Sequence, residues 1–84
     1  MSECTTSLSG TKRWYQNGKL HRDDGPAIEY NNGDKCWYKN GLLHREDGPA
    51  IEWITGYKRW YLNGIKYTKE EFILLQFSKG IINE

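Results

Sequence analysis

A repeat with a period of 23 residues fills most of the 84-residue chain and limits its fold more than any other feature. The segment that begins at Lys12 recurs from Lys35 and again from Lys58, each time with a Trp-Tyr pair and an Asn-Gly dipeptide. Between these copies, the segment that begins at Leu20 recurs from Leu43. Repetition this close predicts one structural unit, copied along the chain and packed against its neighbours.

Each unit has the pattern of a β-hairpin. Asn-Gly supplies the positive φ that both central residues of a type I′ turn require. We expect tight turns of this kind at residues 17–18, 40–41 and 63–64. A turn at 17–18 sets Trp14 opposite His21, and the third turn sets Trp60 opposite Tyr67.

A second set of turns should join one unit to the next. We predict two-residue turns at 32–33 and 55–56, where x-Gly dipeptides again separate stretches of Trp, Tyr and Ile. The cross-strand pairs that follow are Ile28 with Trp37, Ile51 with Trp60, and Glu52 with Arg59. The sheet is then aromatic on both faces, which is unusual because one face of a half-solvated antiparallel sheet is normally polar.

The remaining segments complete a single domain over residues 1–84. Residues 1–9 resemble a decayed first strand that we expect to be short or frayed, and residues 10–67 form the repeat sheet. Thr68 and Glu71 fit a capping box that starts a helix over residues 68–80, with Gly80 as a stop. The predicted fold class is mainly β: a single antiparallel β-meander sheet of hairpin repeats, with a C-terminal α-helix packed on one face.

The charge balance argues against general nucleic-acid binding. The chain has 12 Lys and Arg against 11 Asp and Glu, a net charge of +1, whereas domains that bind phosphate backbones usually carry a larger basic excess. No apolar run approaches the roughly 20 residues that cross a bilayer, and the start lacks the features of a signal peptide. We therefore expect a cytoplasmic protein with no membrane partner, whose Cys4 and Cys36 are free thiols.

The repeat motif Trp-Tyr-x-Asn-Gly-x-Leu-His-Arg-x-Asp-Gly-Pro-Ala-Ile-Glu resembles MORN-type repeats over about residues 10–72. It is most similar to a divergent, MORN-like form found in many proteins of bacteriophages and giant viruses. The resemblance implies hairpins stacked into one elongated antiparallel sheet. It also implies a viral protein that acts as a scaffold or binding module and forms a homodimer through the sheet.

Two residue sets in each unit could carry chemistry. His21 and His44 are the only histidines, and each is followed three residues later by an aspartate. We favour packing beside Trp14 and Trp37, with contact to a ligand or metal as the alternative, because one His and one Asp per unit are too few for a closed site. Repetition of the same residues also argues against a single asymmetric catalytic site.

The arginines of the repeat have two interpretations as well. Arg22 and Arg45 should tie down the polar corners at 22–26 and 45–49 by hydrogen bonds to Asp24 and Asp47 and to the backbone. The alternative is a row of Arg and His that contacts a partner or an anionic ligand. Neither cysteine lies in a motif with His, and no phosphate-binding loop precedes a helix, so we expect no enzymatic activity, no metal and no cofactor.

These features together predict a non-enzymatic interaction module, a small phage-type accessory protein that binds or inhibits a host protein in the host cytoplasm. One helix can cover only one face of the sheet, so the other face needs a partner or a second copy. The alternative is an oligomeric protein that binds or sequesters nucleotides in counter-defence. The candidate binding surface comprises Trp14, Tyr15, His21, Arg22, Trp37, Tyr38, His44, Arg45, Trp60 and Tyr61.

Overall fold

The computed structural model describes the backbone of residues 3–82 and the side chains of residues 3–76. Ten strands precede one helix. In chain order they are β1 (Glu3–Thr6), β2 (Lys12–Gln16), β3 (Lys19–Leu20), β4 (Ile28–Glu29), β5 (Lys35–Cys36), β6 (Tyr38–Lys39), β7 (Leu42–Leu43), β8 (Ile51–Glu52), β9 (Lys58–Leu62), β10 (Ile65–Tyr67) and α1 (Lys69–Ile82).

Eight of the ten strands form one antiparallel meander sheet, as the sequence predicts. Its order is β1-β2-β4-β5-β8-β9-β10, with β3 also paired to β2, while β6 and β7 form a separate two-stranded hairpin. Strand β2 pairs with β4 along its first half and with β3 along its second half, because the chain leaves the sheet between β3 and β4. The domain measures 47 × 31 × 18 Å, and the helix packs on β9 and β10, the last two strands of this order.

The three Asn-Gly turns within the repeats have the predicted type I′ conformation. Asn17, Asn40 and Asn63 have φ values of 53°, 52° and 51°, and the glycines that follow them are also in the positive region. Positive φ at both central residues fits the right-handed twist of the two strands. The expected pairing follows, since the His21 N–H donates to the Trp14 carbonyl at 3.0 Å and Tyr67 lies opposite Trp60.

The turns between repeats differ from the prediction by one residue. Of Asn32 and Gly33, only Gly33 has positive φ, at 100°. The Tyr30 N–H donates to the Asp34 carbonyl at 2.9 Å, which closes a three-residue loop. Loops of this length combine a type I turn with one residue in the left-handed region, usually glycine. The predicted two-residue turns at 32–33 and 55–56 are therefore wrong.

This shift changes every pair between repeats. Ile28 lies opposite Cys36, not Trp37; Ile51 lies opposite Arg59, not Trp60; and Glu52 lies opposite Lys58, not Arg59. A slip of one residue moves a side chain to the other face of a sheet. The isoleucines consequently lie on the face opposite the tryptophans.

Two rows of side chains run across the strands in this register. One row alternates in charge and consists of Lys12, Glu29, Lys35, Glu52 and Lys58. The row beside it, on the opposite face, consists of Arg13, Ile28, Cys36, Ile51 and Arg59. Opposite charges on neighbouring strands stabilise the sheet, each pair by a few tenths of a kcal/mol to about 1 kcal/mol.

The start of the chain forms a paired edge strand. All four residues of β1 have partners on β2, from Glu3 opposite Tyr15 to Thr6 opposite Lys12. The loop after β1 repeats the geometry of the later ones, since the Ser7 N–H donates to the Thr11 carbonyl at 2.8 Å. The segment expected to be short or frayed is thus a short strand joined by the same kind of loop. Met1 and Ser2 lie outside the described residues.

The helix begins with the predicted capping box. The Thr68 hydroxyl accepts a hydrogen bond from the Glu71 N–H at 3.0 Å, and the Glu71 carboxylate accepts one from the Thr68 N–H at 2.9 Å. Phe72 is buried, and α1 packs against β9 and β10. The helix continues through Gly80 to Ile82, so the predicted stop is wrong. Within residues 3–82, no helix has both the length and the apolar character required to cross a bilayer.

The helix also ends the repeat. Thr68 follows Arg22 and Arg45 at successive intervals of 23 residues. The N–H groups of the two arginines donate to carbonyls in the next repeat, at Tyr38 and Tyr61. The Thr68 N–H instead donates within the capping box. The third corner has therefore been replaced by a helix start, as in the terminal caps of other repeat proteins.

Candidate functional site

The two histidines link neighbouring repeats. His21 Nδ1 accepts a hydrogen bond from the Asn40 N–H at 3.0 Å, and His44 Nδ1 accepts one from the Asn63 N–H at 2.9 Å. Both rings are buried, with exposed fractions of 6% and 9%. Their Nε2 atoms face carboxylates, Asp23 at 3.0 Å and Glu46 at 3.2 Å. Two of the ten candidate residues are thus structural links beneath the surface.

The two arginines hold the corners closed. The Arg22 guanidinium lies 3.8 Å from the centroid of the Trp14 ring, and Arg45 lies at the same distance from Trp37. Arg22 Nε donates to Asp24 at 2.9 Å, while Nη1 donates to the Pro26 carbonyl at 3.2 Å. Planar stacking with several directed hydrogen bonds is a geometry that arginine provides and lysine does not.

The second corner repeats this network. Arg45 donates to Asp47 at 2.8 Å and to the Pro49 carbonyl at 3.1 Å. Each arginine also pairs with a glutamate of the charged row, Arg22 with Glu29 at 3.2 Å and Arg45 with Glu52 at 3.0 Å. The expected ties between arginine, aspartate and backbone are confirmed.

Glycine permits this close approach. A Cβ atom on Gly25 would lie 3.1 Å from Arg22 Cζ, and one on Gly48 would lie 3.1 Å from Arg45 Cζ. Hydrogen bonding to the guanidinium also lowers the pKa of Asp24 below its ordinary value, and the same contact lowers the pKa of Asp47. The corners are therefore charged but internally paired.

A groove of about 570 Å³ lies between the two corners. Arg22, Lys39 and Arg45 line it together with four acidic side chains, Asp23, Asp24, Glu46 and Asp47. Both arginines already pair with carboxylates, and Lys39 Nζ lies 3.8 Å from Asp23. An anion entering this groove would meet more acidic than basic groups. The row of Arg and His is thus not arranged for binding a phosphate.

The corner of the third repeat differs from the first two, where an arginine stacks on the tryptophan. Thr68 takes the place of the arginine, so within the described residues no guanidinium lies over Trp60. A cavity of about 450 Å³ opens there, between Trp60, Tyr67 and the start of the helix. Its lining carries four cations, Lys58, Arg59, Lys66 and Lys69, against the single carboxylate of Glu71.

The ten candidate residues do not form one surface. Trp14 and Tyr15 are adjacent in β2, and Trp60 and Tyr61 are adjacent in β9, so each pair points to opposite faces of the sheet. The structure brings the tryptophans together with the arginines and histidines, and places the tyrosines of these strands on the other side. All six rings of the Trp-Tyr pairs are partly exposed.

Sequence reasoning missed a set of exposed aliphatic residues. Leu42 and Ile65 occupy the same position in successive hairpins and are 48% and 59% exposed. On the helix, Ile73, Leu74 and Leu75 are exposed, and the last two border a groove of about 310 Å³ beside Tyr67. The run Phe-Ile-Leu-Leu at residues 72–75 was the available signal, because consecutive apolar residues cannot all face one side of a helix.

The cysteines and the possible metal ligands were the remaining candidates for a functional site. Cys4 is exposed and Cys36 is buried, and both are free. Among the described residues, no three His, Cys, Asp or Glu side chains are grouped so that they could hold a metal ion. Comparisons with protein-family models, with curated proteins and with solved structures found no match to this chain.

Proposed function

We propose that the protein is a non-enzymatic interaction module that binds a protein partner through the exposed apolar surface of its repeat sheet and helix. One observation carries the proposal. Among the described residues, five apolar residues are buried, whereas eight large apolar side chains are exposed. Leu74 and Leu75 border one groove together with Tyr67, and contiguous exposed apolar side chains of this kind are typical of interaction sites.

The internal contacts of the polar residues support the same proposal. Both histidines are engaged between a backbone N–H and a carboxylate, and both arginines are engaged with Asp, Glu and backbone carbonyls. These residues maintain the repeat, which leaves the aromatic and aliphatic side chains to make external contacts. The resemblance of the motif to phage repeats favours a viral accessory protein that binds or inhibits a host protein in the host cytoplasm.

The partner surface is best tested at the hairpin ends, where the repeat supplies a matched control. Lys19, Leu42 and Ile65 occupy equivalent positions in the three repeats. The test variant is the double substitution Leu42→Ser and Ile65→Ser, and the control is Lys19→Ser. Each protein is immobilised, exposed to a bacterial host lysate and washed, and the captured proteins are quantified by mass spectrometry.

We expect one host protein to be captured by the wild type and by Lys19→Ser, and at least tenfold less by the double variant. Purified partner should then reproduce the difference in direct binding. Light scattering across a concentration series tests the other expected partner, a second copy of the chain. The proposal is contradicted if the wild type is a strict monomer that captures no host protein. It is also contradicted if the wild type, Lys19→Ser and the double variant all capture the same amount of host protein.

A nucleotide is the second candidate partner, and the cavity beside Trp60 favours it. An uncovered indole offers a stacking surface for a base, and the surrounding cations suit a phosphate. Ligand at 100 times its dissociation constant should stabilise the fold by about 2.7 kcal/mol. Melting temperatures are measured with a panel of nucleotides, for the wild type and for Lys69→Gln. A rise that the variant loses supports the nucleotide, and unchanged melting temperatures across the panel exclude it.

A further inference from the structure

Positive charge is concentrated at the cavity beside Trp60, which we call the Trp60 cavity. Its lining residues all lie within 58–71 and include four cations and one carboxylate, although the net charge of the whole chain is only +1. The cations are Lys58, Arg59, Lys66 and Lys69. The carboxylate is that of Glu71, which already accepts a hydrogen bond from the Thr68 N–H. Within residues 3–76, none of the four cations makes an ion pair.

The contacts around two of these cations explain why they lack a counter-charge in the described part of the chain. Lys58 lies opposite Glu52 in the sheet, but the Glu52 carboxylate pairs with Arg45 at 3.0 Å. Arg59 Nη1 donates to the Lys58 carbonyl at 2.8 Å, and its guanidinium lies 4.0 Å from the centroid of the Tyr57 ring. By contrast, the arginine of each of the first two corners pairs with two carboxylates.

An apolar groove adjoins the Trp60 cavity. Tyr67 and Glu71 line both of them, and Leu74 and Leu75 complete the groove. The two leucines are 63% and 37% exposed. A ligand that covers both sites therefore needs negative charge beside an apolar group. This combination favours a protein segment, because a nucleotide has no aliphatic group to place in the groove.

We propose that the Trp60 cavity binds an acidic segment of the partner protein, with an apolar side chain of the same segment seated beside Leu74 and Leu75. Carboxylates of the segment supply the counter-charge that the four cations lack. Complementary charge across an interface favours the correct partner and speeds association. The inference rests on the proposed function, because it names the chemistry of the protein partner and the part of the surface that it contacts.

Two double variants and two peptides test this inference. Lys58→Gln with Arg59→Gln removes charge from the cavity. Lys12→Gln with Arg13→Gln is the matched control, because these residues occupy the equivalent positions of the first repeat, and in both pairs the lysine is exposed and the arginine half-buried. The probe is a capped Glu-Glu-Leu-Glu-Glu peptide, and the neutral control is Gln-Gln-Leu-Gln-Gln. Binding to the full chain is followed by nuclear magnetic resonance of the Trp indole N–H signals.

We expect the acidic peptide at millimolar concentration to shift the Trp60 indole signal saturably. The Trp14 and Trp37 signals should not move, because guanidinium groups already cover those rings. The Lys58 and Arg59 variant should bind at least fivefold more weakly than the matched control. Salt at about 0.5 M should suppress binding, since the Debye length then falls to about 4 Å.

Three results would overturn the inference: no saturable shift, equal shifts with the acidic and neutral peptides, or equal binding by the two double variants. A Trp60 response to adenosine diphosphate without a response to the acidic peptide would also overturn it, and would leave the nucleotide as the ligand. Host-protein capture is a separate readout. Capture that depends on Leu42 and Ile65, with no peptide binding, would reject this inference and retain the proposed function.

Discussion

The Nδ1 atom of His21 accepts a hydrogen bond from the backbone N–H of Asn40, 3.0 Å away in the next repeat. Because an N–H group is the donor, Nδ1 must be unprotonated, and the ring proton resides on Nε2, which faces Asp23. His44 makes the same contacts with Asn63 and Glu46. The histidine of each repeat thus anchors the turn of the following one.

Removal of one such link should destabilise the protein. His44→Phe keeps an aromatic ring at this position but leaves the Asn63 N–H without its acceptor, and loss of a partner for a buried polar group costs about 1–3 kcal/mol. Urea denaturation should show this loss. Tyr67→Phe is the matched control, because Tyr67 is at the equivalent position where no further repeat follows. Equal stability of His44→Phe and the wild type would contradict the structural role of the histidine.

The corner network should require arginine rather than any cation. Arg45→Lys keeps the charge but loses the planar stack on Trp37 and part of the hydrogen bonding to Asp47 and Pro49. We expect a loss of about 1–2 kcal/mol in the free energy of unfolding. Arg13→Lys, at a strand position that makes no side-chain ion pair within the described residues, should change stability by less than about 0.5 kcal/mol. Equal effects of the two substitutions would argue against the corner network.

The two kinds of turn should differ in tolerance of substitution. Asn40 has φ of 52°, a region that β-branched residues avoid, whereas Thr55 is outside that region. Asn40→Val should therefore lower the free energy of unfolding by at least about 1 kcal/mol, and Asn40→Gly should be nearly neutral. Thr55→Val should be tolerated. Thermal denaturation of the three variants measures this, and a well-tolerated Asn40→Val would exclude the type I′ geometry.

Alkaline pH should weaken the fold at Cys36. Burial, with a smaller contribution from Asp34, raises the pKa of this thiol to about 11, compared with roughly 8.5 in an unfolded chain. Between these values the unfolded state loses the thiol proton while the folded state retains it, so stability falls as pH rises.

Chemical denaturation from pH 7 to 10.5 measures this effect, with Cys36→Ala as the reference. The stability advantage of the wild type over the variant should be constant below about pH 8 and should narrow by up to about 1.4 kcal/mol per pH unit above it. A difference that stays constant to pH 10.5 would contradict the buried thiol. A thiol reagent should also modify the exposed Cys4 well before Cys36.

The local features of this fold could be predicted because short-range chemistry determines them. Asn-Gly at residues 17–18, 40–41 and 63–64 favours a type I′ turn, and the Thr68 and Glu71 pair favours a helix start; both are observed. The loops between repeats were mispredicted because Asn32-Gly33 is the same dipeptide that forms the two-residue turns within the repeats. The equivalent dipeptide Thr55-Gly56 argued against a type I′ turn, since a β-branched threonine rarely takes the positive φ that such a turn requires.

The candidate site was harder to predict because its contacts cross between repeats. A hydrogen bond joins His21 to Asn40, 19 residues apart in the chain, and no local sequence pattern indicates it. The exposure of Leu42 and Ile65 was missed because the burial of a strand residue depends on which other elements pack on that part of the sheet. Residue types alone could not distinguish a linking histidine from one that faces a partner.

The hydrogen bonds between repeats can be observed directly. In uniformly ¹⁵N-labelled protein, a nitrogen–nitrogen coupling across a hydrogen bond gives a cross peak between donor and acceptor. The structure predicts two such peaks, from the Asn40 amide to His21 Nδ1 and from the Asn63 amide to His44 Nδ1. Imidazole ¹⁵N shifts typical of a proton on Nδ1, together with the absence of both cross peaks, would contradict the assignment of the histidines as links between repeats.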